Sequence, residues 1–244
     1  MPDLALLALL VFAAALLYSS VGHGGASGYL AAMGLVGVAA AVMKPTALAL
    51  NVLVAGVGSV QFLRTGAFSW PVFWPFALGS VPLAFAGGAV TLPSPVYKQV
   101  VGAVLLYAAW RLLSHGVRPG AATHPPPVSA ALGVGAAIGL LSGLVGVGGG
   151  IFLSPLLLFM GWAGMRETAG VSALFILVNS VAGLAGHLAS LSLLPRETPV
   201  LAASAFAGGL IGATLGARRL SMPALRRLLG VVLVVAGVKM LLGR

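Results

Sequence analysis

Two glycine-rich segments are the features whose residue types and spacing most favour chemistry. The first reads Gly22-His23-Gly24-Gly25-Ala26-Ser27-Gly28 and the second reads Gly146-Val147-Gly148-Gly149-Gly150. Each glycine costs a helix about 1 kcal/mol relative to alanine, so both segments predict a break followed by a new helix. The free N–H groups and positive dipole end of that helix could bind an anion without a charged side chain. The alternative is close helix packing through small residues.

Polar residues inside apolar segments could complete such a site. Asn51 lies in the third apolar segment, Asn179 in its counterpart in the second half, and His187 near the end of that counterpart. Their side chains either face a cavity or form interhelical hydrogen bonds. The imidazoles of His23 and His187 could donate to an oxyanion or move a proton with it, or could serve only structural roles. The predicted substrate-binding residues are Gly22, His23, Gly24, Gly25, Ser27, Asn51, Gly146, Gly148, Gly149, Gly150, Asn179 and His187.

Metal, cofactor and catalytic chemistry are not predicted. The only acidic residues are Asp3, Glu167 and Glu197, and all three lie at predicted segment edges or in loops. A divalent metal would need oxygen ligands, and proton or sodium carriers often use carboxylates inside their spans. The sequence has no cysteine, which excludes thiolate metal sites and disulfides. We therefore expect no metal site, no cofactor and no catalytic residue.

The composition predicts a protein dissolved in lipid. Hydrophobic residues make up 60% of the 244 residues and charged residues only 7%, whereas a soluble domain has about 25% charged residues. The formal net charge of +10 would indicate nucleic acid binding in a soluble protein. Here the basic residues lie singly or in pairs between apolar runs, a pattern typical of loops on the cytoplasmic side of a membrane. We expect the lipid bilayer as a partner and no nucleic acid.

Ten apolar segments must position these residues, and we predict that all are helices because backbone in lipid satisfies its hydrogen bonds internally. The first five are Leu4–Ser20, Ser27–Val42, Thr46–Leu63, Val72–Val90 and Pro95–Leu113. After a hydrophilic, proline-rich linker, Ser114–Pro127, the other five are Val128–Leu144, Gly149–Trp162, Thr168–Leu191, Pro199–Ala217 and Pro223–Leu242. The predicted fold class is an all-α polytopic membrane protein with glycine-broken helices.

The two groups of segments match each other in sequence. The glycines at 22, 24 and 25 align with those at 146, 148 and 149, an offset of 124 residues (146 − 22). In the last segments an offset of 128 (223 − 95) relates Pro95, Lys98, Gly102 and Arg111 to Pro223, Arg226, Gly230 and Lys239. This pattern predicts an internal duplication. Residues 1–113 are the first repeat, 114–127 the linker and 128–244 the second repeat of one integrated membrane domain.

The repeats are predicted to be inverted. The first two segments of a half total about 37 residues, roughly 55 Å as one helix, which is too long for one span of about 30 Å. These segments either cross twice or enter and return as a re-entrant hairpin. With three further spans, both arrangements give an odd number of crossings per half. The second repeat therefore has the opposite orientation to the first.

Three stretches of the sequence carry a family pattern. They are residues 143–156 around the second glycine-rich segment, residues 172–180 followed by Gly183, Gly186 and His187, and residues 44–51. Together they resemble the TauE/SafE sulfite exporter family, also called TSUP. The first glycine-rich segment departs from this pattern, since Ala26 stands where a third consecutive glycine would be. The resemblance implies a multi-pass protein of the cytoplasmic membrane that transports sulfite, thiosulfate, sulfonates or related organosulfur compounds.

The function expected from these features is secondary transport of a small-molecule anion without a cofactor. The substrate would lie between the two breaks while one half rocks against the other. One alternative is a membrane-embedded enzyme, with Ser27 and His23 or Ser154 and His187 as nucleophile and base. Another is a scaffold subunit that transports nothing. The sequence leaves a homodimer open.

Overall fold

A computed structural model describes residues 3–113, 124–188, 192, 194–217 and 223–242 of the chain. Most of the predicted linker, residues 114–123, lies outside the described residues. The helices are α1 (Leu4–Ser19), α2 (Ala26–Leu35), α3 (Ala40–Arg64), α4 (Trp70–Ala89), α5 (Ser94–Leu113), α6 (Val128–Val145), α7 (Gly150–Phe159), α8 (Met165–Gly186), α9 (Thr198–Ala217) and α10 (Pro223–Leu241). The described ranges contain no β-strand, which confirms the all-α prediction.

The lengths and the outer surface of the helices are those of a multi-pass membrane protein. Five of the described helices, α3, α4, α6, α8 and α9, are long and apolar enough to cross a bilayer. Large apolar side chains lie on the outside of the molecule, where Leu9 is 63% exposed, Leu78 60% and Phe159 86%. Water would penalise apolar surface of this extent, whereas lipid does not. The predicted membrane class is therefore confirmed.

The helices α2 and α7 are too short to cross a membrane. Each has ten residues, about 15 Å at a rise of 1.5 Å per residue, against a hydrocarbon core of about 30 Å. Each begins within a glycine-rich segment, at Ala26 and at Gly150. The two segments therefore interrupt helical structure, as the glycines predict.

The boundary between α2 and α3 differs from the prediction. The sequence predicts that one segment continues to Val42 and that the next begins at Thr46, but α2 ends at Leu35 and α3 begins at Ala40. Pro45 therefore lies inside α3, where its missing N–H and ring would normally disrupt a helix. The Thr46 hydroxyl donates to the Val42 carbonyl at 2.7 Å, which supplies a hydrogen bond in this turn. Such side-chain compensation is how membrane helices tolerate proline.

The two series of five helices match in length and in local geometry. The pair α2 and α7 has ten residues each, and the pair α4 and α9 has twenty each. After α2 and α7 the chain turns through Gly37 (φ 76°) and Gly161 (φ 66°), which are 124 residues apart. This geometry is compatible with the predicted inverted repeat. The orientation and boundaries of the two repeats stay predictions.

The two halves are interlocked through their glycines. The helix α4 packs on α6 and α9 packs on α1, so the fourth helix of each half contacts the first helix of the other. Gly135, Gly139 and Gly143 lie against the backbone of Phe76, Ser80 and Ala84, and Gly208, Gly212 and Gly216 lie against the backbone of Phe12, Leu16 and Ser20. Small residues at such spacing let backbones approach closely, which drives helix association in lipid.

The α4–α6 contact predicts different effects for two glycines of one helix. A Cβ on Gly139 would overlap the Ser80 carbonyl, whereas a Cβ on Gly133 would meet nothing within 4 Å. We expect Gly139→Ala to lower the free energy of unfolding by roughly 1–3 kcal/mol through overpacking. Gly133→Ala should leave it unchanged or raise it by up to about 1 kcal/mol. Thermal unfolding in detergent measures both, and equal midpoints would contradict the contact.

Candidate functional site

Both glycine-rich segments adopt backbone geometry that favours glycine. In the first break, between α1 and α2, Gly22 has φ 80° and Gly25 has φ 102°. In the second break, between α6 and α7, φ is 90° at Gly146, 75° at Gly148 and 82° at Gly149. These values lie in the left-handed region, which costs an L-residue with a side chain roughly 1–2 kcal/mol. The chain can therefore leave one helix and enter the next within four to six residues.

Each break is followed by a helix whose first N–H groups have no backbone acceptor in the part of the chain that the structure describes. The residues that precede α2 and α7 are Gly25 and Gly149, and neither offers a side-chain cap. The first N–H groups of α2, at Ala26 and Ser27, and those of α7, at Gly150 and Ile151, meet no backbone acceptor among the described residues. Unpaired N–H groups at a helix start carry the positive end of the helix dipole.

Three carbonyl groups at the breaks, by contrast, accept hydrogen bonds from side chains. The Tyr29 hydroxyl donates to the Gly24 carbonyl at 2.6 Å, and the Tyr97 hydroxyl donates to the Val145 carbonyl at 3.1 Å. The Asn51 Nδ2 donates to the Val147 carbonyl at 3.3 Å. These three carbonyls already accept hydrogen bonds, while the first N–H groups of α2 and α7 have no backbone acceptor among the described residues. Together they favour a positive electrostatic potential at the breaks.

Asn51 lies between the two breaks and is fully buried. Its side chain occupies the space in which a Cβ on Gly24 or Gly148 would lie, so it contacts both breaks at once. The Nδ2 atom also donates to the Ser180 hydroxyl of α8 at 3.4 Å. The Oδ1 atom has no hydrogen-bond partner among the described residues. A buried, half-satisfied amide is costly to leave in place, so its position between the breaks favours a role in binding.

A second chain of polar groups joins the first break to the second half. His23 Nε2 lies 3.0 Å from the Ser154 Oγ of α7, and that Oγ lies 2.6 Å from the Ser172 Oγ of α8. His23 Nδ1 is 3.1 Å from the Val21 carbonyl. A carbonyl can only accept, so Nδ1 carries the proton and a neutral ring accepts from Ser154 at Nε2. This bond ties the first break to the helix that follows the second.

Lys44 is a buried cation behind the second break. Only 5% of its side chain is exposed, and its Nζ donates to the Gly88 and Val90 carbonyls, each at 2.9 Å. The ammonium therefore caps the C-terminal end of α4, where a positive charge is favourable. Gly146 packs directly on the Lys44 side chain.

The breaks contact the other half of the molecule in a similar way. Gly22 of the first break lies against the Ala169 backbone of α8, the third helix of the second half. Gly146 of the second break lies against Lys44 of α3, the third helix of the first half. Each break is therefore supported by the opposite half, and a relative movement of the halves would change both breaks together.

The structure brings five of the predicted site residues together, namely His23, Gly24, Asn51, Gly148 and Gly150. The glycines Gly22, Gly25, Gly146 and Gly149 shape the backbone around them. Three polar residues point elsewhere. Ser27 donates to the Tyr18 hydroxyl at 2.8 Å, Asn179 donates to the Phe175 carbonyl of its own helix at 2.9 Å, and His187 hydrogen-bonds the backbone of Gly88 near Lys44.

Two residues of α8 contact the breaks but were not predicted from the sequence. The Ile176 side chain fills the space beside Gly24, Gly148 and Gly150, and Ser180 lies beside Asn51 and Gly148. These two residues are four positions apart, so they share one face of a helix. Ser172, another four positions earlier, lies on the same face and joins Ser154. This spacing is the signal that could have identified them.

Comparison with known proteins confirms the family resemblance predicted from the sequence. The family profile described as "Sulfite exporter TauE/SafE" matches residues 7–240 of the chain. A protein of Sinorhizobium fredii, named "Probable membrane transporter protein y4hK", is 45% identical over 239 residues, which cover 96% of this chain and 97% of that protein. No solved structure gives a significant match. The chain therefore belongs to the sulfite exporter TauE/SafE family.

Proposed function

We propose that this protein is a secondary transporter that exports small sulfur-containing anions such as sulfite, thiosulfate or sulfonates across the cytoplasmic membrane. The observation that carries the proposal is the convergence of two uncapped helix starts on buried Asn51. The family description names sulfite export, and the name of the relative from Sinorhizobium fredii indicates membrane transport. Family membership favours a carrier over the enzyme and scaffold alternatives.

Anion recognition in this proposal rests on backbone donors. The N–H groups at the start of α2 and α7 would donate to the substrate, and the nearby carbonyls of Gly24, Val145 and Val147 already accept from side chains. Lys44 adds a buried positive charge beside Gly146. An oxyanion would therefore meet donors on several sides.

Side chains fill the space between the two breaks, so we propose that transport proceeds by alternating access. Asn51 and Ile176 occupy the space between the breaks, so substrate entry requires the two halves to separate there. Separation would break the hydrogen bond between His23 and Ser154. That bond would therefore stabilise the closed arrangement of the two halves. The membrane potential would drive export, because an anion gains about 2.3 kcal/mol per charge per 100 mV on leaving a negative interior.

The enzyme alternative has one observation in its favour. Ser154 and His23 lie at the distance of a nucleophile and its general base. The pairs suggested by the sequence differ, since Ser27 bonds Tyr18 and His187 lies beside Gly88. The His23 Nδ1 lies 3.1 Å from the Val21 carbonyl, whereas the histidine of a hydrolase triad is oriented by a carboxylate.

The proposed function is tested by binding and transport of defined anions. Thermal unfolding of the purified protein is measured with sulfite, thiosulfate, sulfoacetate, sulfate, chloride and a neutral thiol. A bound anion raises the unfolding midpoint as its concentration exceeds the dissociation constant. We expect sulfur anions to stabilise the protein and to cross proteoliposome membranes. A scaffold would respond to none of them, and an enzyme would convert one chemically; either result contradicts the proposal.

A matched pair of glycines tests where the substrate binds. Gly148 (φ 75°) and Gly66 (φ 66°) both have left-handed backbone, but a Cβ on Gly148 would lie 2.7 Å from the Asn51 Nδ2, and one on Gly66 would meet nothing within 4 Å. Alanine at either position carries a similar backbone strain of roughly 1–2 kcal/mol. Only Gly148→Ala should lose transport, by about tenfold or more, which corresponds to one charge-assisted hydrogen bond.

The rate in this comparison is expressed per folded molecule, so that a loss of stability does not count as a loss of transport. Gly66→Ala is the control for strain alone. If Gly148→Ala transports sulfur anions at the rate of Gly66→Ala, the substrate does not bind between the breaks.

A further inference from the structure

A cavity lies at the other end of α2, away from the breaks. Its volume is about 410 Å³, within the range of about 300–1,000 Å³ that small-molecule pockets occupy. Gly37, Ala39 and Ala40 line it from the α2–α3 turn, and Ser94, Lys98 and Lys239 line it from α5 and α10. We name it the lysine cavity. It is separated from the first break by the length of α2, about 15 Å for ten residues.

The lysine cavity holds two cations and no carboxylate. Lys98 and Lys239 are half-buried, and no aspartate or glutamate is among the residues that line the cavity. The Nζ of Lys239 donates to the Leu35 carbonyl at 2.8 Å, which holds the charge at the end of α2. Two positive charges beside one pocket, with no acidic residue among its described lining residues, attract an anion.

The start of α3 adds donors to the same cavity. Ala39, which precedes α3, offers no side-chain cap. The first N–H groups of α3, at Ala40 and Ala41, have no backbone acceptor among the described residues. Ala39 and Ala40 belong to the wall of the cavity. Backbone donors and two ammonium groups therefore surround one volume.

The matching position in the second half already holds a carboxylate. The turns after α2 and α7 correspond, with Gly37 and Gly161 at an offset of 124. At the start of α8 the Gly164 N–H donates to the Glu167 carboxylate at 3.2 Å. Glu167 is the third residue of α8, and the third residue of α3 is Val42. The acidic group that occupies one helix start is thus absent from the other, where the lysine cavity lies.

We propose that the lysine cavity is a second anion site, which binds one tetrahedral oxyanion of the phosphate or sulfate type. The oxyanion takes the place at α3 that the Glu167 carboxylate takes at α8, and Lys98 and Lys239 neutralise its charge. A free ion and a phospholipid headgroup both present this chemistry. The site is separate from the proposed transport site and does not depend on it.

Two substitutions remove the site by different means. Lys98→Gln deletes one cation without disturbing the bond between Lys239 and Leu35. Val42→Glu gives α3 the acidic third residue of α8, so the chain caps itself and excludes the oxyanion. Val42→Gln has nearly the same shape without the charge and is the matched control. All are measured in the full chain, both as the wild type and with Gly148→Ala, which disables the proposed transport site.

The first measurement is thermal unfolding in detergent with inorganic sulfate, inorganic phosphate or chloride at equal ionic strength. We expect sulfate and phosphate to raise the midpoint in the parent chain and in Val42→Gln. The rise should be lost in Lys98→Gln and Val42→Glu, and Val42→Glu should unfold at a higher midpoint without any ligand. The same pattern in the Gly148→Ala background separates this site from the transport site.

The second measurement identifies a lipid source. Native mass spectrometry compares retention of phosphatidylglycerol and phosphatidylcholine by the same variants. Selective retention of phosphatidylglycerol that is lost in Lys98→Gln and Val42→Glu supports a headgroup as the ligand, even if free ions have no effect. The proposal is overturned if chloride matches sulfate and phosphate and neither lipid is selected. It is also overturned if all variants respond alike in both measurements.

Discussion

Lipid offers no hydrogen bonds to a polypeptide backbone, and this constraint organises the whole molecule. Within the described residues, the regular structure is helical, and the interruptions at the two glycine-rich segments are enclosed by protein. At these interruptions the carbonyls of Gly24, Val145 and Val147 accept from side chains of Tyr29, Tyr97 and Asn51. The first N–H groups of α2 and α7 have no backbone acceptor among the described residues. In the proposed function, an anionic substrate accepts from them.

Three charged side chains bind the ends of helices. Lys44 caps the end of α4, Lys239 caps the end of α2, and Glu167 caps the start of α8. In surroundings of low dielectric a full charge is costly unless it meets an opposite partial charge, and helix ends provide such charges. Helix starts without an acidic residue are then the natural places for anions. The breaks and the lysine cavity are both such places, and they differ in depth and in their cationic partners.

Much of the fold could be predicted from local sequence. Sparse charge predicts lipid, long apolar runs predict helices, and the clustered glycines at 22–25 and 146–150 predict the interruptions. The boundary at α3 could not be predicted in this way, since Pro45 reads as a helix breaker and the compensating bond from Thr46 depends on the folded helix. The burial of Lys44 could not be predicted from local sequence either. A basic residue at the edge of an apolar run resembles an interface anchor, and only the neighbouring end of α4 makes its burial favourable.

The sequence by itself determined the class of the protein, the two breaks and the family, because these depend on residue types at fixed spacing along one chain. Tertiary structure alone decided which side chains meet at the breaks. His23 pairs with Ser154 rather than Ser27, Asn51 reaches both breaks while Asn179 bonds its own helix, and Ile176 and Ser180 enter the site from α8. The physical reason is that these partners belong to different helices, and the direction of each side chain is fixed only when glycine contacts bring those helices together.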